Sequence, residues 1–248
     1  GSIRKSTDGK TFFDNSRKYL TEALNASLQK LNVDNIELYY VHRRDQSIPI
    51  EEVSETLASF VKEGKINQFG YSEIAPTSLD KANEIHPVAA VQSEYSLSTR
   101  YPELGLVQKT KALKASLVAF SPVGRSLLTD SPHTKEKVDD MPFLKQNPRF
   151  IEPNLSKNIQ ATSSFRKLAA DWKMTAGGLS IAWLLNKDTH ILPIPGTRSV
   201  QYLKEMAKAC EKVFTETEIE EIENCLPLGW AFGDRYSVAQ WVGPEKYC

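Results

Sequence analysis

The sequence predicts an α/β fold in which parallel strands alternate with covering helices, and three observations carry that reading. Longer segments place apolar residues three and four positions apart, the period of a helix with one buried face. Shorter segments are rich in β-branched and aromatic residues. The two kinds follow one another as strand, short turn and helix through most of the chain, a rhythm that parallel strands wrapped by helices satisfy.

Taken in order, Tyr19, Leu20, Ala23, Leu24, Leu28 and Leu31 mark a first helix, with Ser16 as its N-cap. Ile36–Val41 reads as a strand that ends at the polar run His42-Arg43-Arg44-Asp45. Ile50, Val53, Leu57, Phe60 and Val61 carry a second helix, stopped at Gly64. The alternation continues with strands near 66–71, 88–92 and 117–121 and helices near 79–85 and 106–113. After Gly124 it breaks over a stretch holding Pro132, Pro142, Pro148 and Pro153, which predicts a long irregular loop of the kind that carries function. Helices near 165–169 and 179–185, a strand over 191–194, a helix from Val200 and a surface helix over Glu216–Cys225 follow. About five strand–helix units result, whereas a closed (β/α)8 barrel needs eight, and an open five-stranded sheet satisfies the same count.

The 248 residues are 40% hydrophobic and 25% charged, which suits one domain over 1–248 with a C-terminal tail over 227–248. Basic and acidic residues balance at 31 each without a long like-charge block, so the chain is expected to bind neither nucleic acid nor a membrane surface. A small neutral partner fits that balance better. No apolar run approaches the ~20 residues needed to span a bilayer, and no apolar core follows the first charges, so a cytoplasmic protein is expected. Cys210, Cys225 and Cys248 show no metal-ligand spacing and read as reduced structural thiols; no metal site is expected. Gly1-Ser2 reads as a cloning remnant.

Five local strings, in order, resemble the aldo-keto reductases. Tyr39-Tyr40-Val41-His42-Arg43-Arg44-Asp45 with Ile48-Pro49-Ile50-Glu51-Glu52 is similar to that family's fourth strand and helix. Glu63-Gly64-Lys65-Ile66 leading into Gly70-Tyr71-Ser72-Glu73 is similar to the fifth strand, and Val91-Gln92-Ser93-Glu94-Tyr95-Ser96-Leu97 to the sixth. Phe120-Ser121-Pro122-Val123-Gly124-Arg125 resembles the seventh and Pro193-Ile194-Pro195-Gly196-Thr197-Arg198 the eighth.

The resemblance implies a (β/α)8 TIM-barrel fold and an NADPH-dependent reduction of aldehydes or ketones to alcohols, with NADP(H) as cofactor and a small carbonyl compound as substrate. By position, His42 resembles the histidine that hydrogen-bonds the substrate carbonyl. Ser72 and Gln92 match the residues that hold the nicotinamide carboxamide, with Glu73 where many members have Asn. Phe120 stands where an aromatic ring stacks on the nicotinamide, and Ser121, Val123, Gly124 and Arg125 match the loop along the pyrophosphate. Thr197 and Arg198 fall in the segment that grips the adenosine 2′-phosphate, and Glu205 matches an adenine contact. Met206 stands where an adenine-binding Asn is usual, Ser126 replaces a common Gly, and Gly196 offers no basic side chain.

The resemblance also implies that the family's first three strands, with its catalytic Asp, Tyr and Lys, would precede residue 1. A barrel incomplete at the N-terminus is therefore expected, with self-association, a swapped segment or a second chain covering its open edges, or else a distorted fold. Without a positioned general acid the rate falls by ~10²–10⁴, so impaired catalysis is expected, and a non-catalytic NADP-binding scaffold or regulatory barrel remnant stands as the alternative. On the residues alone, Arg43 and Arg44 read as solvent charges beside Asp45, and Glu94 as a buried structural acid. His86, His133 and His190 read as non-functional, and the aromatic tail residues as packing.

Overall fold

The computed structural model describes residues 4–5 and 11–246. Gly1, Ser2 and Cys248, which carried two of the expectations above, lie outside the described residues. The described residues form two compact units. The first falls within Gly1–Ser93, Glu103–Val118 and Val242–Cys248, and the second within Glu94–Pro102 and Ala119–Trp241.

In the first unit, β1 (Arg4–Lys5) and β2 (Thr11–Phe12) pair antiparallel, a short hairpin for which the sequence offers no alternating pattern. Helix α1 (Arg17–Leu31) starts where the Ser16 side chain accepts from the Tyr19 N–H, and it ends at Asn32 in the left-handed conformation. Its buried residues are Leu20 and Leu24, spaced as the sequence requires. Strand β3 (Ile36–Val41) and helix α2 (Ile50–Lys62) follow, the helix opening after Pro49 with Glu51 and Glu52 in its first turn, where carboxylates suit the helix dipole. Strand β4 (Ile66–Ser72), helix α3 (Pro76–Ile85), strand β5 (Ala90–Glu94), helix α4 (Leu106–Ala112) and strand β6 (Ser116–Phe120) complete the alternation, with Glu94, Ala119 and Phe120 counted to the second unit. Helix α3 begins three residues before the expected start because Pro76 occupies its first turn, a position that needs no N–H donor.

β3 and β4 run parallel with Val41 opposite Tyr71, and β4 and β5 run parallel with Ser72 opposite Gln92. The strand order of the sheet is β3-β4-β5-β6-β7, where β7 is Ile191–Pro193. The α/β class with a five-stranded, parallel-paired sheet is thus the one the sequence predicts.

The stretch after Gly124 departs from the expected irregular loop. It contains α5 (Lys135–Asp139), three short 3-10 turns and α6 (Asn154–Ala161), around a small core of Leu127, Val138, Leu144, Phe150 and Leu155. The prolines hid this order: Pro148 sits at the start of a 3-10 turn and Pro153 just before α6, where a missing N–H is tolerated. Beyond it lie α7 (Ser163–Asp171), α8 (Ala176–Lys187) capped by Thr175, α9 (Val200–Ala209) capped by Ser199, and α10 (Glu216–Cys225) with a capping box between Thr215 and Glu218. Phe165, Trp183 and Tyr95 are fully buried in this second unit. Cys210 is exposed and Cys225 half-buried, both as free thiols.

Leu57, on the inner face of α2, is fully buried. Leu57→Ala is expected to lower unfolding stability by about 2–5 kcal/mol, through lost apolar burial plus a residual cavity, in urea titrations followed by circular dichroism.

Candidate functional site

In the first unit the residues of interest stand at the C-terminal ends of three neighbouring strands. His42 directly follows β3, is exposed, and meets Phe13 edge-on with ring centroids 5.9 Å apart. Partial burial, and then the adjacent Arg43 cation, hold its imidazole pKa below the usual histidine value. A neutral imidazole carries one N–H donor, which is what a carbonyl oxygen needs.

Ser72 ends β4 and is buried. Its hydroxyl accepts from Arg43 Nη1 at 2.7 Å, while the same nitrogen donates to the His42 carbonyl at 2.9 Å. Arg43 is therefore no plain solvent charge: it ties the turn after β3 to the end of β4. Buried Asn15 fixes that turn further, donating to the Arg43 carbonyl at 3.1 Å and accepting from the Asp45 N–H at 2.8 Å. Glu73 is buried in the left-handed region at φ 58°, its N–H on the Gln92 carbonyl at 2.8 Å and its carboxylate accepting from Ser93 at 3.3 Å. Gln92 is half-buried on β5. The structure thus places His42, Ser72 and Glu73 at the ends of β3 and β4, with Gln92 opposite Ser72 in the middle of β5.

Arg44 is a clearer correction. It is 6% exposed, and its Nε pairs with Glu245 Oε1 at 3.1 Å. No local signal reveals this, because the partner lies 201 residues away along the chain. The tyrosines of β3 and β4 are all pushed upward, Tyr39 to about 12, Tyr40 and Tyr71 also above the usual value, each first by burial.

In the second unit, the turn after β6 is strained. Ser121, Arg125 and Ser126 all adopt positive φ, a conformation that costs non-glycine residues of order 1–3 kcal/mol each and clusters at functional sites. Phe120 and Val123 are half-buried beside them. Gly124, at φ 58°, leaves room that a Cβ would fill, 2.9 Å from the Ser98 hydroxyl. Arg125 places Nη2 at 2.6 Å from Glu94 Oε2, donates from Nη1 to the Arg235 carbonyl at 3.1 Å, and lies over the rings of Phe143 and Tyr236. These bonds of the Arg125 guanidinium thus go to protein groups.

Glu94 is 2% exposed and gathers further cations. Arg235 Nη1 is 3.6 Å from its Oε2, and Thr99 bridges its Oε1 at 3.1 Å to Arg149 Nη1 at 2.7 Å. The tail residues pack as expected: Trp230 donates from its indole to the Leu97 carbonyl, and Asn158 brackets Phe232.

Before α9, Thr197 and Arg198 are exposed. Thr197 Oγ1 accepts from the Ser199 N–H at 3.1 Å, and the Ser199 hydroxyl from the Tyr202 N–H at 3.3 Å. Arg198 joins no ion pair among the described residues. Glu205 is half-buried and accepts from Gln201 at 2.9 Å, whereas Met206 is buried.

The sequence pattern of the aldo/keto reductase family matches residues 5–227. The chain belongs to that family. Among curated aldo-keto reductases, yakc of Schizosaccharomyces pombe, whose name carries NADP(+), is 34% identical over 239 residues, covering 95% of this chain and 70% of that protein. A probable aldo-keto reductase 1 of Glycine max is 35% identical, covering 90% of this chain and 64% of that protein. The chain spans about two thirds of the length of the relatives it matches. Among solved structures, a glycerol dehydrogenase from Gluconobacter oxydans matches with a TM-score of 0.77 at 23% identity, over 91% of this chain and 69% of that one. A thermostable aldo-keto reductase matches with a TM-score of 0.68 at 25% identity, over 85% of this chain and 67% of that one. The (β/α)8 class inferred from the strings is the class of this aldo/keto reductase family. No helix among the described residues is long and apolar enough to cross a membrane.

Two outcomes follow for this family member. The depressed His42 pKa means that, between its folded value and the ordinary 6.5, the unfolded chain binds more protons than the folded one. Stability gained from this group is therefore complete above 6.5 and is lost as pH falls through that window. His42→Gln should make the pH dependence of unfolding free energy shallower there, measured by urea titration at stepped pH. Glu94→Ala removes a buried carboxylate from among Arg125, Arg149 and Arg235 and should cost about 3–5 kcal/mol in the same assay, with Glu94→Gln losing less.

Proposed function

We propose that the chain is an NADP(H)-dependent oxidoreductase that reduces aldehydes or ketones to alcohols. The observation that carries this reading is His42: an exposed imidazole at the C-terminal end of a parallel strand, biased to its neutral form. That rim is where barrels of this class build their sites, and a neutral N–H can donate to a carbonyl oxygen as negative charge develops on it. Membership of the aldo/keto reductase family, and the NADP(+) in a relative's name, support the cofactor.

The cofactor's chemistry is the supply of hydride to the carbonyl carbon. The first unit offers Ser72, Glu73 and Gln92 to orient a carboxamide: a buried hydroxyl and a half-buried amide on paired strand ends are the donor and acceptor types it requires. The second unit offers Phe120 as an apolar ring for stacking and the strained turn of Ser121, Val123, Gly124 and Arg125 for phosphates. The exposed, unengaged Arg198 beside Thr197 and the N-terminus of the ten-residue α9 suits a 2′-phosphate, since a guanidinium and a helix N-terminus both favour an anion. Glu205, farther along α9, is assigned to the adenine. The fit is that of a cofactor whose extra phosphate has its own cation.

Calorimetric titration of the chain should show NADPH binding more tightly than NADH, and Arg198→Ala should remove about tenfold of that preference, the size of one exposed charge-assisted contact. NADPH oxidation over a panel of aldehydes should fall by about a hundredfold in kcat in His42→Ala, as expected for loss of one oxyanion donor. Cofactor binding without turnover on any aldehyde would instead favour a nucleotide-binding scaffold, and no binding would reject both.

A further inference from the structure

The C-terminal segment after Val242 closes over the strand ends that hold His42 and Ser72, and it does so by unusually many specific contacts for three residues. Gly243 lies at φ 91°, where only glycine sits without strain, and a Cβ there would fall 2.6 Å from Phe13 Cε2 and 2.7 Å from Arg43 Cβ. Phe13 is the ring that meets His42 edge-on, and Arg43 is the side chain that bonds Ser72. The Pro244 carbonyl accepts from Gln46 Nε2 at 3.5 Å. Glu245 then engages its backbone N–H and both carboxylate oxygens. Its N–H donates to the Glu73 carbonyl at 2.8 Å, Oε1 accepts from Arg44 Nε at 3.1 Å, and Oε2 accepts from the Ala75 N–H at 2.8 Å. Ala75 is the N-cap residue of α3, so the carboxylate also sits at the positive end of that helix.

Apart from Phe13, which precedes α1, these contacts fall on two turns: Arg43, Arg44 and Gln46 after β3, and Glu73 and Ala75 after β4. Those turns carry, or directly follow, three of the residues assigned to the substrate and the nicotinamide. A carboxylate shared between two rims holds both at a fixed separation, because each oxygen has a single donor at hydrogen-bond distance and the backbone N–H supplies a third tie. The Arg44 side chain cannot relax towards water without abandoning this pair, since it is buried and its Nη2 is committed to the Ile48 carbonyl at 2.9 Å.

We propose that Gly243, Pro244 and Glu245 form a positioning strap, in which Glu245, through Arg44 and the backbone at Glu73 and Ala75, sets the placement of His42 and Ser72 for binding. Glu245 is a positioning residue, acting through others. The inference rests on the reading of His42 as the carbonyl-binding residue, but its geometric part stands apart from turnover and is tested apart from it.

The experiment uses the whole chain in three forms: wild type, Glu245→Ala and Gly243→Ala. Gly243→Ala unseats the strap against Phe13 and Arg43 while leaving every charge in place, so the result does not depend on one variant that folds poorly. Lys135→Ala, in the exposed Lys135–Asp139 pair of the second unit, is the control for a change that leaves the strap alone. The His42 imidazole is titrated by nuclear magnetic resonance, and kcat and KM are measured with NADPH and an aldehyde. Phe13 meets the His42 ring and the Arg43 cation stands beside it, and both are strap contacts. In both strap variants the His42 midpoint should rise towards the ordinary imidazole value as the ring gains solvent and Arg43 leaves it, and kcat/KM should fall by roughly tenfold to a hundredfold, as for a displaced catalytic group. The Lys135→Ala control should match wild type in both.

An unchanged His42 midpoint in both folded strap variants, whatever happens to their melting temperatures, would overturn the proposal and leave the strap a stability element. If wild type shows no turnover but the midpoint still moves in both variants, the positioning holds and the reductase reading fails. If the midpoint moves while kcat/KM is unchanged, the claim that placement matters for binding is overturned.

Discussion

Parallel pairing of neighbouring strands is the constraint on which the functional geometry of the first unit depends. Parallel strands cannot be joined by a tight turn, so each must be followed by a crossover, and all their C-terminal ends then face the same way. Val41 opposite Tyr71 and Ser72 opposite Gln92 are the register facts that convert this rule into a site. They bring the residue after β3 beside the last residue of β4 and the middle of β5. A slip of one residue would turn each strand's side chains to the opposite face and send Ser72 away from Gln92. Apolar burial of Val41, Phe69 and Val91 on the three strands, all without exposure, holds that register, since a slip would turn such residues to the opposite face.

On this frame, charges do the local fixing, and they do so from buried positions. Arg44 with Glu245 in the first unit, and Glu94 with Arg125 in the second, are pairs in which at least one partner is almost wholly removed from water. A buried charge is costly unless it is paired and further hydrogen-bonded, so such groups tolerate few geometries. Glu245 satisfies this by adding the Ala75 N–H to its Arg44 contact, and Glu94 by adding Thr99 to its Arg125 contact. Their contribution is less to net stability than to holding one arrangement, because replacing a whole buried pair by apolar groups is often neutral.

The chemistry proposed for the rim is modest. A carbonyl needs a donor that stays a donor near neutral pH without giving up a full proton at the wrong moment. Desolvation and the Arg43 cation both disfavour imidazolium at His42, which is the correct direction for that task. Burial pushes Tyr39, Tyr40 and Tyr71 upward, so these phenols hold their protons more tightly than in water.

How much of this was legible in the sequence divides along a physical line. Features set by neighbours in the chain were readable: the Ser16 cap, the helical spacing of Leu20 and Leu24, the Ile36–Val41 strand ending at His42, and the family strings that name the strand ends. The order inside the stretch after Gly124 was not, because proline marks a helix start as well as a break and only the packing of Leu127 on Phe150 and Leu155 distinguishes them. Nor was the fate of Arg43 and Arg44. Adjacent and alike in sequence, they differ because one reaches Ser72 and the other Glu245, partners 29 and 201 residues away. Local sequence by itself determined the strand–helix alternation from Ser16 to Phe120 and which residues end those strands, since periodicity and capping act over a few residues. Tertiary structure alone decided which charges are buried and paired, since burial depends on what distant segments bring into contact.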